Sequence, residues 1–213
     1  MEEIQVYSAI TASYDKYNDS NNRKVFSNYG RFINPRLNAK IYKVLSHRFI
    51  DADFSVWVDG NVTLNCMPEL LVEMLEDKEI LVFKHPDRNC IYKEAIVCKE
   101  HRKDSARVID SQMNRYRKLK WGEEKGLASC RIIVRKHSKN IELLNNSWWA
   151  EITSGSVRDQ LSFPVVFDKN IKYIDHPDSY NNEYFTVDHH KELNWIQRKK
   201  KRFFSLFNLF FHH

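Results

Sequence analysis

A chain of 213 residues, 42% hydrophobic and 29% charged, suffices for one domain with a sizeable core, and with only five Gly and five Pro it is neither disordered nor built of loop repeats. The formal charge of +6 is unevenly placed: Arg198, Lys199, Lys200, Lys201 and Arg202 carry five of those charges, which leaves the body near neutral and excludes a nucleic-acid-binding surface there. No run reaches the ~18 apolar residues that a membrane-spanning helix needs.

Met1–Glu2–Glu3 is acidic and lacks the basic start and long apolar stretch of a secretion signal, so a cytoplasmic chain with reduced thiols is expected. Ile4–Thr11 reads as the first strand, and Ala12–Lys24 as a polar loop. In a nucleotide-binding α/β domain a base and ribose lie at this loop. Thr11, Tyr14 and Asp15 are the candidates for holding them, with Tyr14 to stack and Asp15 to accept hydrogen bonds. A plain polar turn explains the same residues equally well.

Asn34–Pro35 starts a helix, with a capping side chain followed by Pro at the first helical position. Leu37, Ile41, Val44, Leu45 and Phe49 then recur at helical spacing. Arg36 and Lys40 lie one turn apart near its start, where a helix N-terminus and added cations can hold a diphosphate. A solvated basic face is the alternative.

Phe54–Ser55–Val56–Trp57–Val58 is a short apolar run that reads as a buried strand. Asp59–Gly60–Asn61 ends it sharply. Asp59 and Asn61, two residues apart on that turn, can aim oxygens at one point beyond the strand's carboxyl end, where ligands of α/β sheets bind. Two oxygens suit a hard divalent ion, Mn²⁺ or Mg²⁺, that takes its remaining ligands from water and phosphate. Asp-Gly is also a common hairpin turn.

Pro68–Leu75 reads as a short amphipathic helix and Ile80–Phe83 as the next strand, ending at Lys84–His85–Pro86. His85 is placed to ligate a metal or donate to phosphate. A helix follows to about His101, preceded and begun by the polar residues Arg88, Tyr92 and Glu94. Ala106–Leu119 is mostly charged and is expected as a surface helix. Cys130–Arg135 reads as a strand. Cys66, Cys90, Cys98 and Cys130 include no C-x-x-C pair, which argues against a zinc site.

Ile141, Leu144, Trp148 and Ile152 form another helical stripe. Trp148 and Trp149 are adjacent and cannot share a helix face, so one is expected in the core and the other free to stack on a sugar ring, the alternative being that both are core. Arg158–Asp159–Gln160 places three hydrogen-bonding groups at the start of a helix, a cluster suited to a polyhydroxylated substrate. Ile171–Ile174 reads as a last strand. Asp188–His189–His190 resembles the signature of one phosphoesterase class, but the acidic motifs which that class needs near its first strands are missing. From Arg198 to His213 a basic cluster precedes seven apolar residues, five of them Phe, with no Asp or Glu, and reads as an amphipathic helix that holds the chain to an anionic membrane surface, the alternative being a helix packed on the body or on another subunit.

Several of these pieces occur together in one family. Val6–Tyr7–Ser8–Ala9–Ile10–Thr11 with Tyr14–Asp15, Ser55–Asn61, Lys84–Ala95, Trp148–Glu151 and Arg158–Phe163 follow one another in its order. On them the chain resembles the glycosyltransferase family long known as a domain of unknown function, whose plant members were named for turgor and seed-mucilage defects. One group of these adds galacturonic acid to rhamnogalacturonan.

The resemblance implies a single GT-A-like, Rossmann-like α/β domain over residues 1–197 with a mixed central sheet, followed by the tail. It implies a hexosyl- or uronosyltransferase that uses a nucleotide-diphosphate sugar, a UDP-sugar above all, and a glycan or lipid-linked acceptor. Asp59 and Asn61 then stand where other such enzymes carry Asp-x-Asp, and the neutral amide is the weaker ligand. Arg36, Lys40, Lys84 and His85 are expected around the diphosphate. Asp159, with Gln160, is expected near the anomeric carbon as base or charge stabiliser, and Arg88, Glu94, Trp148, Trp149 and Arg158 around the sugar and acceptor. A non-catalytic binding module of the same fold and a phosphoesterase are the competing readings. The expected location is the inner face of the membrane, in surface polysaccharide synthesis.

Overall fold

The computed structural model describes residues 2–11, 23–175, 178 and 180–188. Tyr14, Asp15, His189, His190 and the basic, aromatic tail lie outside them. In chain order the elements are β1 (Ile4–Ala9), β2 (Lys24–Phe26), α1 (Pro35–Val44), β3 (Phe54–Val58), β4 (Val62–Leu64), α2 (Pro68–Glu73) and β5 (Ile80–Lys84). Then follow α3 (Ile91–Glu100), α4 (Ala106–Lys118), β6 (Ala128–Lys136), α5 (Lys139–Ser154), α6 (Asp159–Phe167), β7 (Ile171–Ile174) and β8 (Phe185–Val187).

Among the described residues six strands form one mixed sheet in the order β2-β1-β3-β6-β5-β7. Only β6 runs against the rest, pairing antiparallel with both β3 and β5. The carboxyl ends of β1, β3 and β5 therefore share one edge, and β6 begins there. β4 and β8 form a separate antiparallel pair.

Every residue of β3 is buried, because both faces of the sheet are covered. Tyr7, Trp57, Val82 and Ile133 point into the layer built by α1, α5 and α6. Val6, Val56, Leu81 and Val134 point the other way, against α2 and the β4–β8 pair. This alternation is the period of two that a strand imposes.

Two short strands, β2 and β8, are not evident in the sequence; three residues are too few to show a period. α1 starts as expected, with Asn34 Oδ1 accepting from the Arg36 N–H at 3.1 Å. It ends at Val44, before the apolar stripe does. Leu45 leaves the helical region and a 3₁₀ turn, Ser46–Arg48, carries Phe49 onto Phe26 and Tyr42.

α4 is not the surface helix its charge suggests. Ile109, Met113 and Tyr116 fall on one face and bury themselves with α3, Leu127 and Leu161 in a third core cluster. On the exposed side Arg115 holds both oxygens of Glu151, which also accepts from the Tyr116 hydroxyl at 2.6 Å. Gly155 closes α5, where a Cβ would fall 2.8 Å from the Glu151 carbonyl oxygen.

Trp148 is completely buried, edge-on to Phe163 and Phe167 and beneath the guanidinium of Arg135. Trp148→Ala is expected to cost about 3–5 kcal/mol in urea unfolding, and Leu143→Ala, on the exposed face of the same helix, no more than about 0.5 kcal/mol.

Candidate active site at the carboxyl edge of the sheet

At the end of β3 the Asp59 N–H donates to the Arg131 carbonyl at 2.9 Å, and the Asp59 carbonyl accepts from Val62 at 2.9 Å. These bonds fold Asp59–Val62 into a tight turn. Gly60 faces the tip of the Ile10 side chain, which a Cβ there would push aside. Thr11, half-buried, follows the carboxyl end of β1 on the same sheet edge.

The Asp59 carboxylate is held from one side. Trp57 Nε1 donates to Oδ1 at 2.8 Å and Lys43 Nζ at 3.3 Å. Among the described residues none donates to Oδ2, and the side chain is 33% exposed. Asn61 donates Nδ2 to the Asp188 carbonyl at 3.1 Å, and among the described residues none donates to its Oδ1. Asp59 Oδ2 and Asn61 Oδ1 are two hard oxygens of the kind that a water- and phosphate-ligated Mg²⁺ or Mn²⁺ accepts. Among the described residues no three His, Cys, Asp or Glu side chains converge as a metal cage. The Asp188 N–H donates to the Asn61 carbonyl at 2.8 Å, so Asp188, the last described residue, lies beside the turn.

Asp159, at the start of α6, is almost wholly buried and meets two lysines of α1. Lys40 Nζ lies 3.0 Å from Oδ1 and Lys43 Nζ 2.8 Å from Oδ2. Lys43 thus bridges Asp159 to Asp59. Burial opposes the charge on Asp159, but Lys40, Lys43 and Arg158 outweigh it and hold its carboxyl well below the usual range. Burial likewise opposes Lys43, and Asp159 and Asp59 hold its ammonium above its usual value. Lys40, with one carboxylate instead of two, is pushed down by burial. Cys130 lies against this group, its thiol pushed up by burial and by Asp159.

A second polar group adjoins the first. Arg88 Nε donates to buried Glu94 at 2.7 Å, Cys98 donates to the other Glu94 oxygen at 3.3 Å, and His85 Nε2 lies 3.9 Å from Glu94. Burial and Glu94 push Cys98 up to about 11, and burial pushes His85 down so that it stays neutral near pH 7. Arg158 donates to Gln160 Oε1 at 2.9 Å and lies near Cys98 and Glu94, between the two groups.

The expected residues fare differently. Asp59, Asn61, Asp159, Lys40 and Thr11 come together at one sheet edge. Lys84 lies on that edge too, exposed and paired with Asp175 at 2.9 Å. Arg36 remains at the rim, donating to the Lys103 carbonyl at 2.6 Å. Gln160 is not a free catalytic amide. Its Nε2 donates to the Ala128 and Ser129 carbonyls and its Oε1 accepts from Arg158, so it anchors α6 to β6. Trp148 cannot stack on a sugar, because it is core. Trp149 keeps a partly exposed face, with Phe32 against it at 5.6 Å. Glu94 is closed on Arg88 and unavailable to an acceptor.

Three site residues escape the sequence reading. Lys43 sits one helical turn beyond Lys40 among the apolar positions of α1, and that spacing is its one signal. Arg23 is buried at the ends of β1 and β3, donating to Ser8 Oγ at 3.2 Å and to the Val62 carbonyl at 3.0 Å. Cys130 has φ +55°, inside a bulge no motif announces.

The buried ion pairs set a pH dependence. Because the folded carboxyl of Asp159 titrates far below the unfolded one, its contribution is complete above about pH 5 and is lost as pH falls below about 4. Asp159→Asn is expected to cost about 3–5 kcal/mol at pH 7. In urea unfolding from pH 7 to pH 3, the gap to the wild type should narrow below about pH 4.

The TOD1/MUCI70 glycosyltransferase-like domain matches residues 5–197. Alkaline ceramidase TOD1 of Arabidopsis thaliana is 29% identical over 158 residues, 68% of this chain and 34% of that protein. Probable hexosyltransferase MUCI70 of Arabidopsis thaliana is 28% identical over 146 residues, 63% of this chain and 25% of that protein. The chain thus spans about a third and a quarter of these two relatives' lengths. A glycosyltransferase involved in glycosylation of the major capsid of PBCV-1 superposes with a TM-score of 0.47 at 10% identity, over 95% of this chain and 98% of that one. With nearly its whole length matched, and with the mixed α/β sheet that the resemblance implies, this chain belongs to the TOD1/MUCI70 glycosyltransferase-like domain family.

Proposed function

We propose that the chain is a glycosyltransferase that moves a hexosyl or uronosyl group from a UDP-sugar to a glycan or lipid-linked acceptor in surface polysaccharide synthesis. The observation that carries the reading is the half-open Asp59 Oδ2, held outward at the carboxyl edge of the sheet next to a pair of lysines. Carboxylate oxygen, amide oxygen and ammonium groups in one corner are the chemistry a pyrophosphate needs.

Asp59 and Asn61 would hold a Mn²⁺ or Mg²⁺ ion, with His189 or His190 as a further candidate. Such an ion, when bound, would neutralise charge on the departing diphosphate. Lys40 is the more exposed of the two lysines, and it and Lys84 supply donors for the leaving group. Thr11, with Tyr14 and Asp15, holds the nucleoside. Asp159 fixes Lys40 and Lys43. With both oxygens on ammonium groups and its carboxyl held so low, it is a poor proton acceptor and serves as charge, not as general base. Arg158, Arg88 and Trp149 border the sugar and acceptor.

One relative is named a ceramidase and the other a hexosyltransferase. Transfer is the reading taken because the family model that matches residues 5–197 is described as glycosyltransferase-like.

A panel of sugar nucleotides incubated with Mn²⁺ and a glycan acceptor should yield free UDP with one of them. Asp59→Ala should lower that turnover by about 10²-fold or more with little change in melting temperature. Nucleotide binding without turnover would make the chain a binding module. Turnover undiminished in Asp59→Ala would remove the corner from the reaction.

The basic, aromatic tail is proposed to hold the enzyme to the inner leaflet. Truncation after Gln197 should abolish co-sedimentation with anionic liposomes and leave the melting curve unchanged. A truncated protein that unfolds, or that still sediments, argues against the anchor.

A further inference from the structure

Lys43 does more than pair with Asp159. Its ammonium lies 3.3 Å from Asp59 Oδ1, the oxygen that Trp57 Nε1 also holds. Lys43 is 5% exposed and sits over the Trp57 ring at 5.5 Å. Asp59 therefore has one committed oxygen and one to which no described residue donates. The formal charges of Lys40, Lys43, Asp59 and Asp159 cancel, so the corner is already neutral without a ligand.

We propose that Lys43 is a positioning residue that makes Asp59 a one-oxygen ligand and renders divalent-ion binding at this corner conditional on a nucleoside diphosphate. The inference rests on the transferase reading and deepens it. A divalent cation arriving alone meets a carboxylate whose charge is already opposed by a fixed ammonium group. The ammonium cannot withdraw, because Asp159 holds it on the other side at 2.8 Å. A diphosphate arriving with the cation brings the negative charge that the corner lacks, and it gives Lys40 an anion to face. The protein thus recognises the ion and the nucleotide as one unit.

The test measures Mn²⁺ binding by electron paramagnetic resonance, with and without UDP, against a protein-free control for the Mn²⁺–UDP complex. In the wild type, UDP should raise Mn²⁺ affinity on the order of tenfold or more. Lys43→Arg keeps the cation and should keep that coupling. K43M/D159N removes one cation and one anion together, so the net charge of the corner is unchanged, although Lys40 loses its carboxylate partner. It should bind Mn²⁺ without UDP about as tightly as the wild type binds it with UDP. If the double variant does not give a cooperative melt, Lys43→Gln carries the same comparison.

Equal Mn²⁺ affinity with and without UDP in the wild type overturns the proposal, as does full coupling in a folded K43M/D159N protein. Loss of coupling in Lys43→Arg overturns it too, since charge is then not the cause. A wild type that binds neither Mn²⁺, UDP nor any sugar nucleotide removes the transferase reading itself. That result differs from the others, each of which leaves ligand binding intact.

Discussion

One ammonium group, that of Lys43, lies between two carboxylates carried by different parts of the chain. Asp59 ends the central strand and Asp159 opens a helix on the face of the sheet where α1 also lies. Without that cation the two acids would lose the charge they share, and Asp159 would keep only Lys40 as an ion-pair partner. With it, α1, β3 and α6 are tied at the edge where the parallel strands end. The geometry of the corner follows from that tie.

The approach to α6 is held as firmly as its first residue. Asp104 accepts from the Ser156 hydroxyl and the Val157 N–H, both at 2.8 Å, and Gln112 accepts from the Ser156 N–H. Glu151 clamps α5 to α4 through Arg115 and Tyr116. Much of what looks functional in Trp148–Glu151 and Arg158–Phe163 is therefore scaffold. Trp148 fills the core, Glu151 joins two helices and Gln160 fastens a helix to a strand. The chemistry rests with the few side chains this scaffold leaves exposed.

The elements themselves were readable because their signals are local. An Asn-Pro start, a five-residue apolar run ending in Asp-Gly, and helical stripes at Ile141–Ile152 need no knowledge of neighbours. β2 and β8 were not readable, since strands of three residues are defined by their partners. α4 misled because its abundant charges masked Ile109, Met113 and Tyr116 on a single face. At the corner, Asp59 and Asp159 could be named from their motifs, but not the fact that one lysine touches both. Lys43 looks like any polar residue in an amphipathic helix until α6 is folded against it. Whether Trp148 or Trp149 faces inward was likewise decided only by Phe163 and Phe167, which lie farther along the chain.

The bulge in β6 has a bearing on how this chain tolerates changes of length. Between Val82 and Lys84 strand β5 advances two residues, while β6 runs from Ile133 to Ala128, five positions. Cys130 turns through φ +55° within that slack, and the Ala128 and Ser129 carbonyls there are the ones that grip Gln160. An insertion or deletion in this stretch would not be absorbed as a harmless loop. It would rotate the carbonyl grip, and through Gln160 it would displace the neighbouring Asp159, a residue remote in sequence from the edit. Lengthening that surface turns elsewhere absorb should here be felt first as lost order at the corner.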